Sequence, residues 1–328
     1  MTTTQPTTPS TSAKVEREEE LPRMSLGDHI DELRRRLIRS AIAIALAMGV
    51  VLPFKDTVTW IYVRPYEQVW YSTYNDFLDK LDAKEAELKA TGEKPDKLLA
   101  EQFEFHHDYR ASILGGTFPT DKYVFIGAKG GFALDRTLKA LGGVEDMWVY
   151  MSATLLFAFA LATPVVLYQI WAFIAAGLYQ RERRMVMRSL PWALVLFLVG
   201  VLFGYFVAVP FGLYMLIQFM NPEFVQPNFS VQQYFGLLLV MTGALGLVFQ
   251  LPLVMVAVHR VGLVSHAALK KYWRHFIVGT FVLAAIVTPP DVVTQLLMAV
   301  PMSILYVLGL LLTGRTERKR AKAAAAKS

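Results

Sequence analysis

Two acids set among arginines are the residues of this chain best suited to chemistry. The first lies in His29-Ile30-Asp31-Glu32-Leu33-Arg34-Arg35-Arg36-Leu37, immediately before a long apolar run. On a helix, positions three and four apart are neighbours, so His29, Glu32 and Arg36 share one face. The second lies in Leu178-Tyr179-Gln180-Arg181-Glu182-Arg183-Arg184, between two other apolar runs. A carboxylate in such a place can receive a guanidinium in bidentate, charge-assisted geometry that an ammonium does not reproduce. Glu32 and Glu182 on one membrane face would suit a ligand bearing two adjacent arginines. The same residues also read as a membrane-surface helix with internal ion pairs, its arginines anchored in headgroups. Arg34 to Ser40 with the apolar residues after it has the layout of an export signal. No A-x-A cleavage site follows the end of the run at Phe54, and five more apolar runs do, so the helix is retained.

Inside the apolar runs polar residues are scarce. Gln250 lies mid-run beside Pro252, and Gln169 and Gln295 lie nearer the ends. Each either hydrogen-bonds across helices or lines a polar cavity. Asp291, after Thr288-Pro289-Pro290, is placed to cap the next helix. There is no G-x-x-x-x-G-K-[ST], no H-E-x-x-H and no G-x-S-x-G, so no enzyme is expected. The absence of cysteine removes thiol and Cys-metal chemistry, and His106-His107-Asp108 is too little for a metal site. No cofactor and no metal are expected.

The elements that must hold these residues are membrane helices. Hydrophobic residues make up 54% of the 328 positions and charged residues only 18%. That charge content falls below the roughly one quarter usual in soluble chains. Six apolar runs stand at Leu37 to Phe54, Trp148 to Leu178, Pro191 to Met220, Val231 to Val258, Phe276 to Thr288 and Val292 to Leu312. A bilayer core needs ~20 helical residues. The second, third and fourth runs exceed this, and Pro164, Pro210 and Pro252 are expected to bend them. The fifth is short enough to thin the bilayer beside it.

Lys and Arg cluster after the second run, after the fourth and in the C-terminal tail, whereas Asn221 to Ser230 and Thr288 to Asp291 hold none. The positive-inside rule then puts both termini in the cytoplasm, with six spans between them. It also assigns the net charge of +6 to the lipid surface rather than to nucleic acid. Residues 1–22 read as a disordered tail, 23–312 as the membrane domain and 313–328 as a basic tail. The piece from Lys55 to Met147 lies outside. Asp79 to Lys97 is helical in character, with breaks at Gly92, Pro95, Gly115-Gly116 and Gly130-Gly131.

Three motifs in order carry a family resemblance: His29 to Leu37; Ala162-Thr163-Pro164 through Tyr168-Gln169-Ile170-Trp171-Ala172-Phe173 to Glu182-Arg183-Arg184; and Thr288-Pro289-Pro290-Asp291-Val292 with Gln295 and Pro301. The sequence resembles the TatC family, the multispanning subunits of the twin-arginine protein translocase. The resemblance implies an all-α, six-span, cupped and glove-like membrane protein of the bacterial inner membrane. It implies that Glu32 and Glu182 receive the arginine pair of a folded passenger's signal peptide. Arg34, Arg36, Phe173 and Arg183 would shape that site, and Pro65 would fall in the extracytoplasmic cap. Single-span TatA/TatB-type partners, self-association and proton-motive-force drive are expected with it. The chain departs from the family at Gln250, where many members have Glu, and at Ala176, a frequent proline. It departs again at Glu67 to Asp121, which is much longer than the usual cap. The competing reading, a small-solute secondary transporter, would call for an internal repeat and midplane ionisable groups that the chain lacks.

Overall fold

A computed structural model describes residues 26–117, 131–132, 134–176, 187–220, 228–260, 262–289 and 291–325. The described residues are helical, with one isolated bridge. We number the helices α1 (Leu26–Val51), α2 (Lys55–Thr91), α3 (Lys97–Leu114), α4 (Glu145–Ala176) and α5 (Leu190–Phe203). They continue as α6 (Val209–Gln218), α7 (Val231–Val248), α8 (Leu251–Arg260), α9 (His266–Lys271), α10 (Trp273–Val287) and α11 (Val292–Ala325).

Four stretches are long and apolar enough to cross a membrane: α4, Leu190–Gln218, Val231–Arg260 and Val292–Arg318. The pair α1 and α2, bent by 98°, makes a fifth if counted as one span, and α10 is a shorter apolar helix of 15 residues. Many of their apolar side chains face outward, among them Leu46, Leu161, Leu247, Ile286 and Ile304. Such a surface is stable only against lipid.

The motif around Glu32 and the apolar run after it form one continuous helix, α1. Pro53 follows it, and the chain turns sharply into α2. Of the three expected bends, two coincide with helix interruptions. Pro210 follows a π-helical stretch at Gly204–Ala208, and Pro252 follows the break at Phe249-Gln250. A proline removes one helix donor and crowds the preceding turn, so the ladder resets just upstream. Pro164 instead sits inside the unbroken α4.

The piece from Lys55 to Met147, the outer piece of the sequence reading, is largely two helices. α2 runs from Lys55 to Gly92, whose φ of +72° suits glycine alone at this helix end. Asp96 then caps α3 by accepting from the Leu99 N–H at 2.8 Å. Trp70 and Tyr74 stack at 5.1 Å, and Phe132 meets both edge-on. His106 of α3 closes this core, its Nδ1 2.8 Å from the Tyr74 hydroxyl. Burial pushes the Tyr74 phenol well above its ordinary pKa.

Pro65 lies within α2 and is buried there. With no N–H, it leaves the carbonyl of Ile61, four residues earlier, without its helical donor. The hydroxyl of Tyr205 takes that place, donating to the Ile61 oxygen at 2.6 Å. Tyr234 donates to the next carbonyl, Tyr62, at 2.5 Å, and Tyr214 to Asp76 at 2.8 Å. The outer piece is thus pinned to the membrane helices by tyrosines. We expect Tyr205→Phe to cost about 1–3 kcal/mol by orphaning the Ile61 carbonyl. The cost should shrink in a Pro65→Ala background, where the helix supplies a donor. A double-mutant cycle on thermal stability checks this, and additive losses would refute it.

A second tie lies between Gly142 and Gln232. Glu145, the first residue of α4, accepts from the N–H groups of Leu141 (2.5 Å), Gly142 (3.1 Å) and Gln232 (3.0 Å). Beside it, Lys139 pairs its backbone with Phe229 and Val231, forming the bridge to Ser230. The expected effect of Glu145→Ala is faster proteolytic cleavage around Gly142-Gly143, with the helices still inserted. Unchanged cleavage would mean the bridge alone suffices.

Candidate functional site

The α1–α4 pair positions the site. Ala47 on α1 packs with Ala158, Ala162 and Val166 on α4, small residues that let the two helices approach closely. The pair is antiparallel: Tyr150 donates to the Leu52 carbonyl at one end, and His29 stacks on Phe173 at the other. The start of α1, with its charged residues, therefore meets the end of α4.

At that end Glu32 and Arg36 form an ion pair one helical turn apart. Arg36 also donates from Nη1 to Gln169 Oε1 at 3.4 Å, across from α4. Its Nε is buried with no hydrogen-bond partner among the described residues. The side chains of Arg36 and Glu32 are 11% and 19% exposed, so this pair is largely withdrawn from water. The His29 and Phe173 rings lie 4.4 Å apart at 26°, forming a flat platform beside it. Such a corner offers a carboxylate, an amide oxygen and an aromatic face, the set that a planar cation needs. Arg34, two residues from Glu32, points to the exposed side.

Glu182 and Arg183 lie outside the described residues, so the second acid of the sequence reading has no place in this geometry. Gln169, one of the polar residues of the apolar runs, accepts from Arg36 across the α1–α4 pair. His29 joins the site through Phe173, a contact spanning most of the first half of the chain. The other candidates lie elsewhere. Gln250 donates from Nε2 to the Ala193 carbonyl at 2.9 Å, while its Oε1 is buried without a partner among the described residues. Gln295 donates to the Phe281 carbonyl at 3.0 Å, tying α11 to α10. Asp291 accepts from the Thr294 N–H at 2.6 Å as the cap of α11. Pro65 is in α2, far along the chain from α4. Among the described residues no group of three or more His, Cys, Asp or Glu is placed to hold a metal ion.

Sequence reasoning passed over Glu145 altogether. The available signal was an acid at the first turn of an apolar helix directly after Gly142-Gly143, where free N–H groups gather.

The family model for the Sec-independent protein translocase protein (TatC) matches residues 28–301. The chain is 32% identical over 194 residues to TatCy of Bacillus subtilis, covering 59% of this chain and 76% of that protein. It is 40% identical over 167 residues to TatC of Desulforapulum autotrophicum, covering 51% and 62%. A crystal structure of the twin-arginine translocase receptor TatC in DDM superposes with a TM-score of 0.60 at 26% identity. That match covers 87% of this chain and 99% of the other. The same helices that build the α1–α4 corner thus lie within the matched region, and the chain belongs to the TatC family, as a multi-pass membrane component of the Sec-independent protein translocase.

Proposed function

We propose that this protein is the signal-recognising core of the translocase, taking twin-arginine signal peptides of folded passengers at the Glu32 end of the α1–α4 pair. The observation that carries the reading is the carboxylate of Glu32 held beside the His29–Phe173 platform, with Gln169 across from it. Glu182, four residues after Leu178 in an arginine-rich link, supplies the second acid in this reading, with Arg183 next to it. Arg34 on the exposed side steers the peptide's register by repulsion.

The distribution of Lys and Arg favours both termini in the cytoplasm of a bacterial inner membrane. It favours six spans, α1 and α10 counted among them. Single-span TatA/TatB-type partners and further copies of this chain would complete the passage, with lipid around them and the proton-motive force as drive. Uptake of a small solute has no support beside this reading.

Site-specific crosslinking tests it. Signal peptides carrying Arg-Arg or Lys-Lys are presented to membranes holding the wild type, Glu32→Ala or Glu182→Ala. Crosslinks to the α1–α4 end are expected with Arg-Arg and wild type only. Equal crosslinking in every combination would reduce both acids to topology features.

A further inference from the structure

We propose that Arg36 is a resident competitor for the Glu32 carboxylate, and that it sets the affinity threshold a ligand cation must exceed. This rests on the recognition role of Glu32 proposed above. The Glu32 carboxylate is not vacant. It already holds the Arg36 guanidinium, four residues on along the same helix. An incoming guanidinium that seats bidentately on both carboxylate oxygens must therefore displace Arg36 from Oε1.

The resident is held, but held incompletely. A guanidinium has five N–H donors. Here one nitrogen meets Glu32, a second reaches Gln169 at a long 3.4 Å, and Nε is buried with no partner among the described residues. A buried donor without an acceptor makes the resting state costly, so eviction of Arg36 recovers part of what breaking its ion pair loses. A ligand guanidinium brings the same planar fork and restores the same charge-assisted bonds. The exchange is like for like. A ligand ammonium is more strongly hydrated and binds as a point charge, so its intrinsic affinity for the carboxylate is lower.

An intramolecular competitor lowers the affinity of both ligands by the same factor, because it must leave for either. The Arg/Lys preference is intrinsic to Glu32. What Arg36 contributes is position on the concentration scale: it pushes the weaker ligand below useful occupancy while the stronger one still binds.

The test is equilibrium binding of fluorescent Arg-Arg and Lys-Lys signal peptides to the full-length protein in nanodiscs. Arg36→Gln is expected to tighten both peptides by about tenfold, the size of one charge-assisted hydrogen bond, with their ratio unchanged. Arg35→Gln removes the same charge from an exposed position on the same helix. It should shift binding little, which separates release of the carboxylate from a general change in field.

If Arg36→Gln weakens both peptides in protein that melts normally, Arg36 merely positions Glu32 and the inference is overturned. A change in ratio at constant Arg-Arg affinity overturns it too, as does an Arg35→Gln effect equal to that of Arg36→Gln. Glu32→Gln keeps the two claims apart. Loss of binding there with no gain in Arg36→Gln refutes only the competitor. Binding that survives Glu32→Gln refutes the site itself.

Discussion

Replacing Gly200 by valine is expected to prevent α5 from seating against α7, and so to cost the protein its assembled fold in detergent. A Cβ at Gly200 would stand 2.6 Å from the Leu245 carbonyl oxygen and 2.9 Å from Phe249 Cβ. The nearer atom is helix backbone, which cannot rotate away. Even alanine must push the helices apart, and overpacking of this kind costs ~1–3 kcal/mol, more where backbone has to move. In a membrane, close approach of backbones is what holds helices together, since lipid tails are as apolar as side chains.

The neighbouring glycines rank themselves. At Gly204 the Cβ would meet Thr242 Cα at 2.8 Å, again backbone. At Gly246 it meets side chains rather than backbone, Val201 Cγ2 at 2.9 Å and Phe197 Cε2 at 3.1 Å. Gly236 and Gly243 on the same α7 have nothing within 4 Å. Alanine at either should be neutral, or stabilise by up to about 1 kcal/mol through helix propensity. Melting temperatures of the five alanine variants should fall in that order. A Gly243→Ala loss matching that of Gly200→Ala would show that close packing is not the cause.

Trp70→Ala carries the second large effect. Trp70 is 1% exposed, stacked on Tyr74 and edge-on to Phe132, and its Nε1 donates to the Leu134 carbonyl at 2.9 Å. Truncating a buried aromatic costs ~3–5 kcal/mol in cavity and lost transfer. Loss of the indole donor also removes the tie between α2 and Leu134. Because the rings that Trp70 meets, Tyr71, Tyr74 and Phe132, all lie between Lys55 and Met147, the damage should centre there. Hydrogen exchange is expected to rise across α2 beyond Pro65 and across α3, while α4 and α7 keep their protection. Uniform deprotection of all helices would mean that the outer piece and the membrane helices fold as one unit.

Local chemistry on this chain was readable, and distant pairing was not. Gly92 and Gly115-Gly116 announced the ends of α2 and α3, because a left-handed or open position selects glycine. The shared face of Glu32 and Arg36 followed from a spacing of four. Gln169, by contrast, sits 133 residues from Arg36, and no periodicity connects them. The π-helical stretch before Pro210 was equally hidden. Proline predicts a disturbance but not the register the backbone adopts, here a π-helical turn whose Gly204 lies close against Thr242. The 37 residues of α2 were only partly foreseen, since its aromatic face packs inside the protein rather than against lipid and shows no long apolar run. Glu182 was legible as an acid among arginines, and its partner geometry was not.

The short helix α10 has an electrical consequence. At 1.5 Å per residue, its 15 residues rise about 22 Å, against a hydrocarbon slab of ~30 Å. Read as a span, α10 draws the slab inward, and the membrane voltage then falls across roughly three quarters of the usual distance. The local field is steeper by about a third. The total energy gained by a charge crossing there is unchanged, since it depends only on the voltage. The force on that charge is what rises, and it rises along the flank of the protein where α10 meets lipid.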